Sequence, residues 1–159
     1  MEAVDVTRLN SALNTLSKLY RAAKAERLAE LGLHPGQDVL LWLLAEADPE
    51  GGMSISALAA RLGIEPATAT RSLARLERSG LFSREPVPGD RRQVRIRLTD
   101  RGRELVPVIE RIWDDLAVVT TSSLAPGEGR ALVGMLDRAN DGLREVIGDR
   151  AARSVLVAD

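Results

Sequence analysis

The chain has 159 residues, 45% hydrophobic and 28% charged, a composition that fits one globular domain, with or without helical extensions. It has no cysteine and one histidine, His34, which excludes disulfides and thiolate chemistry and makes a catalytic triad or a zinc site improbable. Its formal net charge of −1 gives no sign by itself of a polyanionic partner.

The first third of the chain predicts two helices. One should run from about residue 5 to 30, because apolar residues recur there in steps of 3 and 4. These residues are Val6, Leu9, Leu13, Leu16 and Tyr20. His34-Pro35 should open a second helix with Pro35 at its first position, and the apolar run 39–44 should bury this helix on most sides. Residues 48–52 predict a turn.

Two short helices should follow. Ser54 is expected to cap a helix that ends at Gly63, with Ile55, Leu58, Ala59 and Leu62 facing inward. Glu65-Pro66 should begin the next helix, which ends at Gly80. Small Ala59 is expected where the two helices cross, and Gly63 permits the backbone conformation that the turn needs.

The hydrophobic period then changes from helical to alternating. Residues 93–99 alternate polar and apolar, which predicts a half-buried strand, and residues 81–87 should be its antiparallel partner. Residues 88–92 carry turn residues and then charge, so they should connect the strands.

Two more helices complete the pattern. Thr99 should cap a helix from about 100 to 123, with Leu105, Ile109, Ile112, Leu116 and Val119 on one side. The sequence 125–128 should break it and begin a last helix, with Leu132, Leu136, Leu143 and Ile147 inward. Residues beyond about 150 show no clear pattern and are expected to fray.

Together, the two short helices and the hairpin predict a winged helix-turn-helix. In the second helix Ala69, Leu73 and Leu76 should face the core. Candidate DNA-binding residues lie on the opposite side or its edge: Ala67, Thr68, Thr70, Arg71, Arg75 and Arg78. We expect the first four to reach bases in the major groove, and Arg75 or Arg78 to meet phosphate.

The hairpin should act as the wing. Its tip Asp90-Arg91-Arg92 suits a narrow, negative minor groove, with one arginine held by Asp90 and the other on DNA, although the sequence leaves open which does which. Arg95 and Arg97 should lie on the solvent face of the strand and suit phosphates. From residue 61 to 103 the chain has 11 arginines and five acids, a basic block in an otherwise acidic protein.

Three segments resemble the MarR family: LGLHPGQDVLLWLL (31–44), ISALAARLGIEPATATRSLARLERSGL (55–81) and DRRQVRIRLTDRG (90–102). The resemblance covers about residues 5 to 147. It implies one mainly α domain over 1–159 with a small β-hairpin wing, in which a winged helix-turn-helix (34–100) is flanked by helical dimerisation parts (1–33 and 101–150). It also implies an obligate homodimer on a pseudopalindromic operator, and regulation, usually repression, by a small ligand. No cofactor is expected.

The residues themselves also favour a dimer, because a helix pair and hairpin account for only about half of the chain. An aromatic or apolar acid is the expected effector, held among large side chains near the junction of the two parts. The candidate effector-binding residues are Tyr20, His34, Trp42, Arg111 and Trp113.

Other classes of function fit less well. The chain has no phosphate-binding Gly-Lys-Ser/Thr loop, and its adjacent carboxylates Asp114 and Asp115 point apart on a helix, so an enzyme is not expected. A winged-helix module that binds protein, or a regulator without a small-molecule effector, stays open as an alternative. Since the N-terminus lacks an export pattern, we expect a cytoplasmic protein.

Overall fold

A computed structural model describes the backbone of residues 5–87 and 90–155, and the side chains of residues 5–49, 51–86 and 94–146. The element order is α1 (Val6–Ala29), α2 (Gln37–Ala47), a short 3-10 turn (Asp48–Glu50), β1 (Met53–Ser54), α3 (Ile55–Leu62), α4 (Pro66–Arg78), β2 (Phe82–Val87), β3 (Asp90–Leu98), α5 (Asp100–Thr121) and α6 (Glu128–Val155). The fold is mainly helical with a small antiparallel sheet of order β1-β3-β2, which confirms the predicted fold class.

The core lies where α2 meets α3, α4, the sheet and α5. Leu41 and Leu44 of α2 are fully buried, as are Leu58 of α3, Leu73 of α4 and Ile96 of β3. Removing these apolar side chains from water is the main favourable contribution to the folding of this part of the chain. The residues predicted to face inward from α4, namely Ala69, Leu73 and Leu76, are all buried.

Local sequence signals set several helix ends. The Ser54 hydroxyl accepts a hydrogen bond from the Ala57 N–H (3.1 Å), so Ser54 caps α3 as predicted. The α3–α4 turn uses Gly63 at φ 67°, and α4 ends before Gly80 at φ 68°. These left-handed conformations strain most residues with a side chain, and this explains glycine at both positions.

Three local predictions need correction, and one strand was not predicted. Pro35 does not begin α2: the helix begins at Gln37, because Gly36 adopts φ 95° and the Gln37 side chain accepts from the His34 N–H (2.9 Å). The expected connection 88–92 is shorter, since β3 already begins at Asp90. The expected frayed end is α-helical to Val155. Sequence inspection missed β1, whose two residues pair with β3 through Met53↔Ile96 and Ser54↔Arg95.

Most of α1 and α6 lies outside this core, although Leu28 near the end of α1 is fully buried. Every residue from 5 to 22 is exposed, including Val6 (75%) and Leu13 (47%) of the apolar side of α1. On α6, Leu132 and Leu136 are half-buried, but Leu143, which was predicted to face inward, is exposed. The side chain of Ile147 lies outside the described residues. On α5, Ile109 and Leu116 are buried, whereas Val119 on the same side of the helix is 62% exposed. None of the helices in the described ranges combines the length and apolar character that a membrane crossing requires.

Candidate nucleic-acid interface

The helix-turn-helix is formed by α3 and α4. Ala59 of α3 is 1% exposed, and its carbonyl accepts from the Ile64 N–H (2.9 Å) across the turn. Ile64 is itself buried, so a side chain of the turn packs into the core. Pro66 occupies the first helical position of α4, where its missing N–H leaves no hydrogen bond unmade. The start of α4 is therefore fixed relative to α3.

The outer side of α4 is basic and exposed. The exposed residues there are Ala67, Thr70, Arg71, Ala74, Arg75 and Arg78, and Thr68 is half-buried. Neither Arg71 nor Arg75 forms an ion pair with any residue that the structure describes. Both guanidinium groups are therefore free to form charge-assisted hydrogen bonds with a polyanion.

Two other polar side chains of α4 are partly engaged by the helix itself. The Thr70 hydroxyl donates to the Pro66 carbonyl (2.8 Å), and its oxygen remains free to accept. Arg78, which is exposed, donates through Nε to the Ala74 carbonyl (3.3 Å), and this hydrogen bond does not use its terminal amino groups. A Thr70 contact to a base edge would thus use its acceptor or require this back-bond to break.

The hairpin of β2 and β3 lies beside α4 and is tied to it by an ion pair between Arg84 and Glu77 (3.1 Å). Arg95 is exposed and donates to the Gly52 carbonyl (3.3 Å). Arg97 is less available than expected, because it pairs with Asp48 (3.4 Å) and with Glu85 (3.6 Å). The side chains of Asp90, Arg91 and Arg92 lie outside the described residues.

An ionic network also joins the wing to the helices behind it. Arg103 on α5 donates to Asp48 (2.8 Å), to Asp100 (2.7 Å) and to the Leu98 carbonyl (2.8 Å). The hydrogen bonds to Asp100 and Asp48 raise the pKa of Arg103 above its ordinary value. Sequence inspection did not single out Asp48, which lies in the turn after α2 and meets both Arg97 and Arg103.

A second cluster lies where α1, α2 and α5 meet. Asp38 is fully buried and receives three donors: the Lys24 ammonium (2.6 Å), Trp113 Nε1 (2.9 Å) and the Gly36 N–H (2.8 Å). The same ammonium lies 5.6 Å from the centre of the Trp113 ring and 6.0 Å from that of Tyr20, within cation–π range. The buried Asp38 carboxylate is therefore paired with one cation and accepts two further hydrogen bonds.

The structure brings together three of the five candidate effector residues. Trp42 and Trp113 have ring centres 5.9 Å apart, and Lys24 links Trp113 to Tyr20. His34 is exposed. Arg111, also exposed, is two residues from Trp113 and so points to nearly the opposite side of α5.

The sequence did contain signals for the two cluster residues that were missed. Asp38 is an acid in the first turn of an otherwise apolar helix, and Lys24 is one of two lysines in a chain that otherwise uses arginine. Within the described side chains, no group of His, Asp and Glu is arranged to hold a metal ion.

A helix-turn-helix whose second helix presents a basic outer face beside a β-hairpin defines a winged helix-turn-helix protein. Residues 33–94 match the model of the MarR family. The resemblance to this family of transcriptional regulators that the sequence predicted is thereby confirmed over these residues.

Similar solved structures agree with this fold. A MarR transcriptional regulator from Methanosarcina mazei is 21% identical, with a TM-score of 0.70 over 88% of this chain and 99% of that one. The reduced form of MarR from E. coli is 24% identical, with a TM-score of 0.70 over 87% and 98%. A MarR-family regulator from Listeria monocytogenes, complexed with 26mer DNA, is 20% identical, with a TM-score of 0.71 over 91% of each chain.

Proposed function

We propose that this protein is a sequence-specific regulator that binds double-stranded DNA as a homodimer, with α4 of each subunit in a major groove. The observation that carries the proposal is the outer side of α4, where the exposed Arg71 and Arg75 lack acidic partners among the described residues. Ala67 and Thr68 near the start of the helix are small enough to let the backbone approach base edges closely. The Listeria relative in complex with DNA supports this use of the fold.

The outer side of α4 can be tested by selection and titration. Duplexes enriched from a random library by the wild-type protein should bind with an affinity that falls steeply between about 50 and 200 mM salt, because bound arginines release counterions from phosphates. Arg71→Ala should weaken binding by about 1–3 kcal/mol if it reaches a base. Arg130→Ala, an exposed arginine on α6, is the matched control and should bind as wild type. Equal losses in the two variants would contradict the proposal.

The wing is proposed to enter the adjacent minor groove through one arginine. Because Asp90 offers one carboxylate to two neighbours, Arg91 and Arg92 should have different roles: one stiffens the loop and the other contacts DNA. Arg91→Ala and Arg92→Ala should therefore differ in affinity for the selected duplex by about tenfold or more, a difference of about 1.4 kcal/mol. Identical losses would argue against this division of roles. Arg95 is proposed to contact phosphate beside the wing.

The dimer is proposed to form through the terminal helices, so that 34–100 binds DNA while 1–33 and 101–150 hold the subunits together. The supporting observation is the exposed apolar side of α1, with Leu9, Leu13, Leu16 and Tyr20 all at least 38% exposed. On α6, Met135 and Val146 are also exposed. Apolar surface of this extent is characteristic of a surface covered by another protein, here a second copy.

Ligand control is proposed through the cluster around Lys24. A small aromatic acid could bind near Tyr20, Trp42 and Trp113 with its carboxylate on the Lys24 ammonium, which would compete with Asp38 for that ammonium. Salicylate should then quench tryptophan fluorescence and weaken operator binding over the same concentration range. A flat response up to millimolar salicylate in both measurements would contradict this acid as an effector.

A further inference from the structure

The end of α4 is held by the beginning of α5 through consecutive backbone groups. The carbonyls of Ser79, Gly80 and Leu81 leave the helix and accept, respectively, from Arg101 Nη1 (3.3 Å), the Thr99 hydroxyl (2.7 Å) and the Thr99 N–H (3.1 Å). Gly80 at φ 68° turns the chain so that these carbonyls face α5. Three donors from two residues thus satisfy three successive acceptors.

The contact is also tight in a steric sense. A Cβ on Gly102 would lie 2.1 Å from the Leu81 carbonyl oxygen and 3.1 Å from Leu98 Cδ2, so no larger residue fits without displacing backbone. The same Thr99 oxygen that donates to Gly80 accepts from the Gly102 N–H (3.2 Å), so one side chain both begins α5 and binds the end of α4. We call Thr99, Arg101 and Gly102 the α4–α5 clamp.

The position of the clamp gives it a consequence for function. It joins the three residues that follow α4 to a 22-residue helix, α5, which carries buried Ile109 and Leu116 farther along. A change in the angle between α4 and α5 that separated them would break these hydrogen bonds, and one that brought them closer would force the Leu81 carbonyl against Gly102. The clamp therefore fixes the direction in which α4 leaves the helical body of the protein.

We propose that Thr99, Arg101 and Gly102 are positioning residues that set the half-site spacing accepted by the DNA-bound dimer. This inference rests on the proposed function, in which two α4 helices bind half-sites about one helical turn apart. One extra base pair moves a half-site by about 3.4 Å, which a rigidly held α4 cannot follow. A loosened α4 tolerates this shift.

The test uses full-length protein and a duplex selected from a random library by the wild type. Affinity is measured for that duplex and for versions with one base pair added or removed between half-sites. Wild type should prefer the selected spacing by about tenfold or more, equivalent to about 1.4 kcal/mol. Thr99→Val should reduce the preference below about threefold. Thr99→Ser, which keeps the hydroxyl, should restore it, and Thr121→Val, the same change at the far end of α5, should leave it unchanged.

A second variant covers the case in which Thr99→Val fails to fold. Arg101→Gln removes the guanidinium from Ser79 at an exposed position. Loss of a phosphate contact would weaken binding equally at all spacings, whereas loss of positioning should weaken it least at the altered spacings. A Thr99→Val protein that folds and keeps the wild-type spacing preference would overturn the inference. If Thr99→Val does not fold, an equal loss of affinity at all spacings for Arg101→Gln would overturn it. A wild type without salt-dependent DNA retention would instead overturn the proposed function.

Discussion

Replacing Asp38 by asparagine should destabilise the protein strongly, because it removes one charge from a buried ion pair and changes little else. The carboxylate is fully buried and accepts from Lys24, Trp113 and Gly36. An asparagine in the same place offers one oxygen and one amide nitrogen. Whichever way the amide is turned, at least one of these donors then faces another donor.

The expected cost follows from the burial of the two partners. Breaking a buried ion pair by removal of one partner costs roughly 3–5 kcal/mol. Because the Lys24 side chain keeps 15% exposure, its ammonium recovers part of its hydration, and we expect the lower end, about 3 kcal/mol. For a chain of this size this corresponds to a fall in Tm of about 6–12 °C.

The assay is urea unfolding followed by far-UV circular dichroism, at one fixed protomer concentration because a dimer's stability depends on it. Lys24→Met and the double variant complete a double-mutant cycle, which should show a favourable coupling of about 2 kcal/mol. Asp114→Asn, the same change on an exposed carboxylate of α5, should stay within about 0.5 kcal/mol of wild type. A loss below about 1 kcal/mol for Asp38→Asn, or no measurable coupling, would refute the reasoning.

Two further predictions concern the terminal helices and the sheet. Leu13→Glu places a charge on the exposed apolar side of α1 and should yield a monomer by native mass spectrometry. Lys18→Glu, on the opposite side of α1, should stay dimeric. If both variants stay dimeric, the proposed interface is wrong. Gly52→Ala should cost about 2 kcal/mol or more in urea unfolding, because φ is 81° and its Cβ would lie 2.4 Å from the Ile96 carbonyl oxygen. Gly32→Ala has φ 70° but open space, and should lose only about 1 kcal/mol; equal costs would show that the contact with Ile96 is not what requires glycine.

The identity of the main elements could be predicted from the sequence because the information for them is local. The period of apolar residues on α4, the alternation on β3 and the caps at Ser54 and Thr99 each depend on neighbours within about four residues. The same locality explains why the basic outer face of α4 was found. Which side of a helix is buried follows from its own pattern once a core exists.

Details that depend on distant residues were missed or misplaced. The two-residue strand β1 has no pattern of its own and exists because β3 supplies its hydrogen-bonding partners. Proline is common at the first position of helices, yet the hydrogen bond of the Gln37 side chain and the conformation of Gly36 place the start of α2 after Pro35. In the first case a tertiary contact creates the strand, and in the second a side-chain contact outweighs a weak local preference.

The sequence by itself determined the helix-turn-helix, the wing and the arginine-rich face, since each is a periodic or short-range pattern. Only the tertiary structure decided that Asp38 meets Lys24 and Trp113, residues 14 and 75 positions away in the chain, and that Thr99 holds the end of α4. Such contacts are set by how whole helices pack, and helix packing depends on the combined shape of many side chains. No single stretch of sequence contains that information.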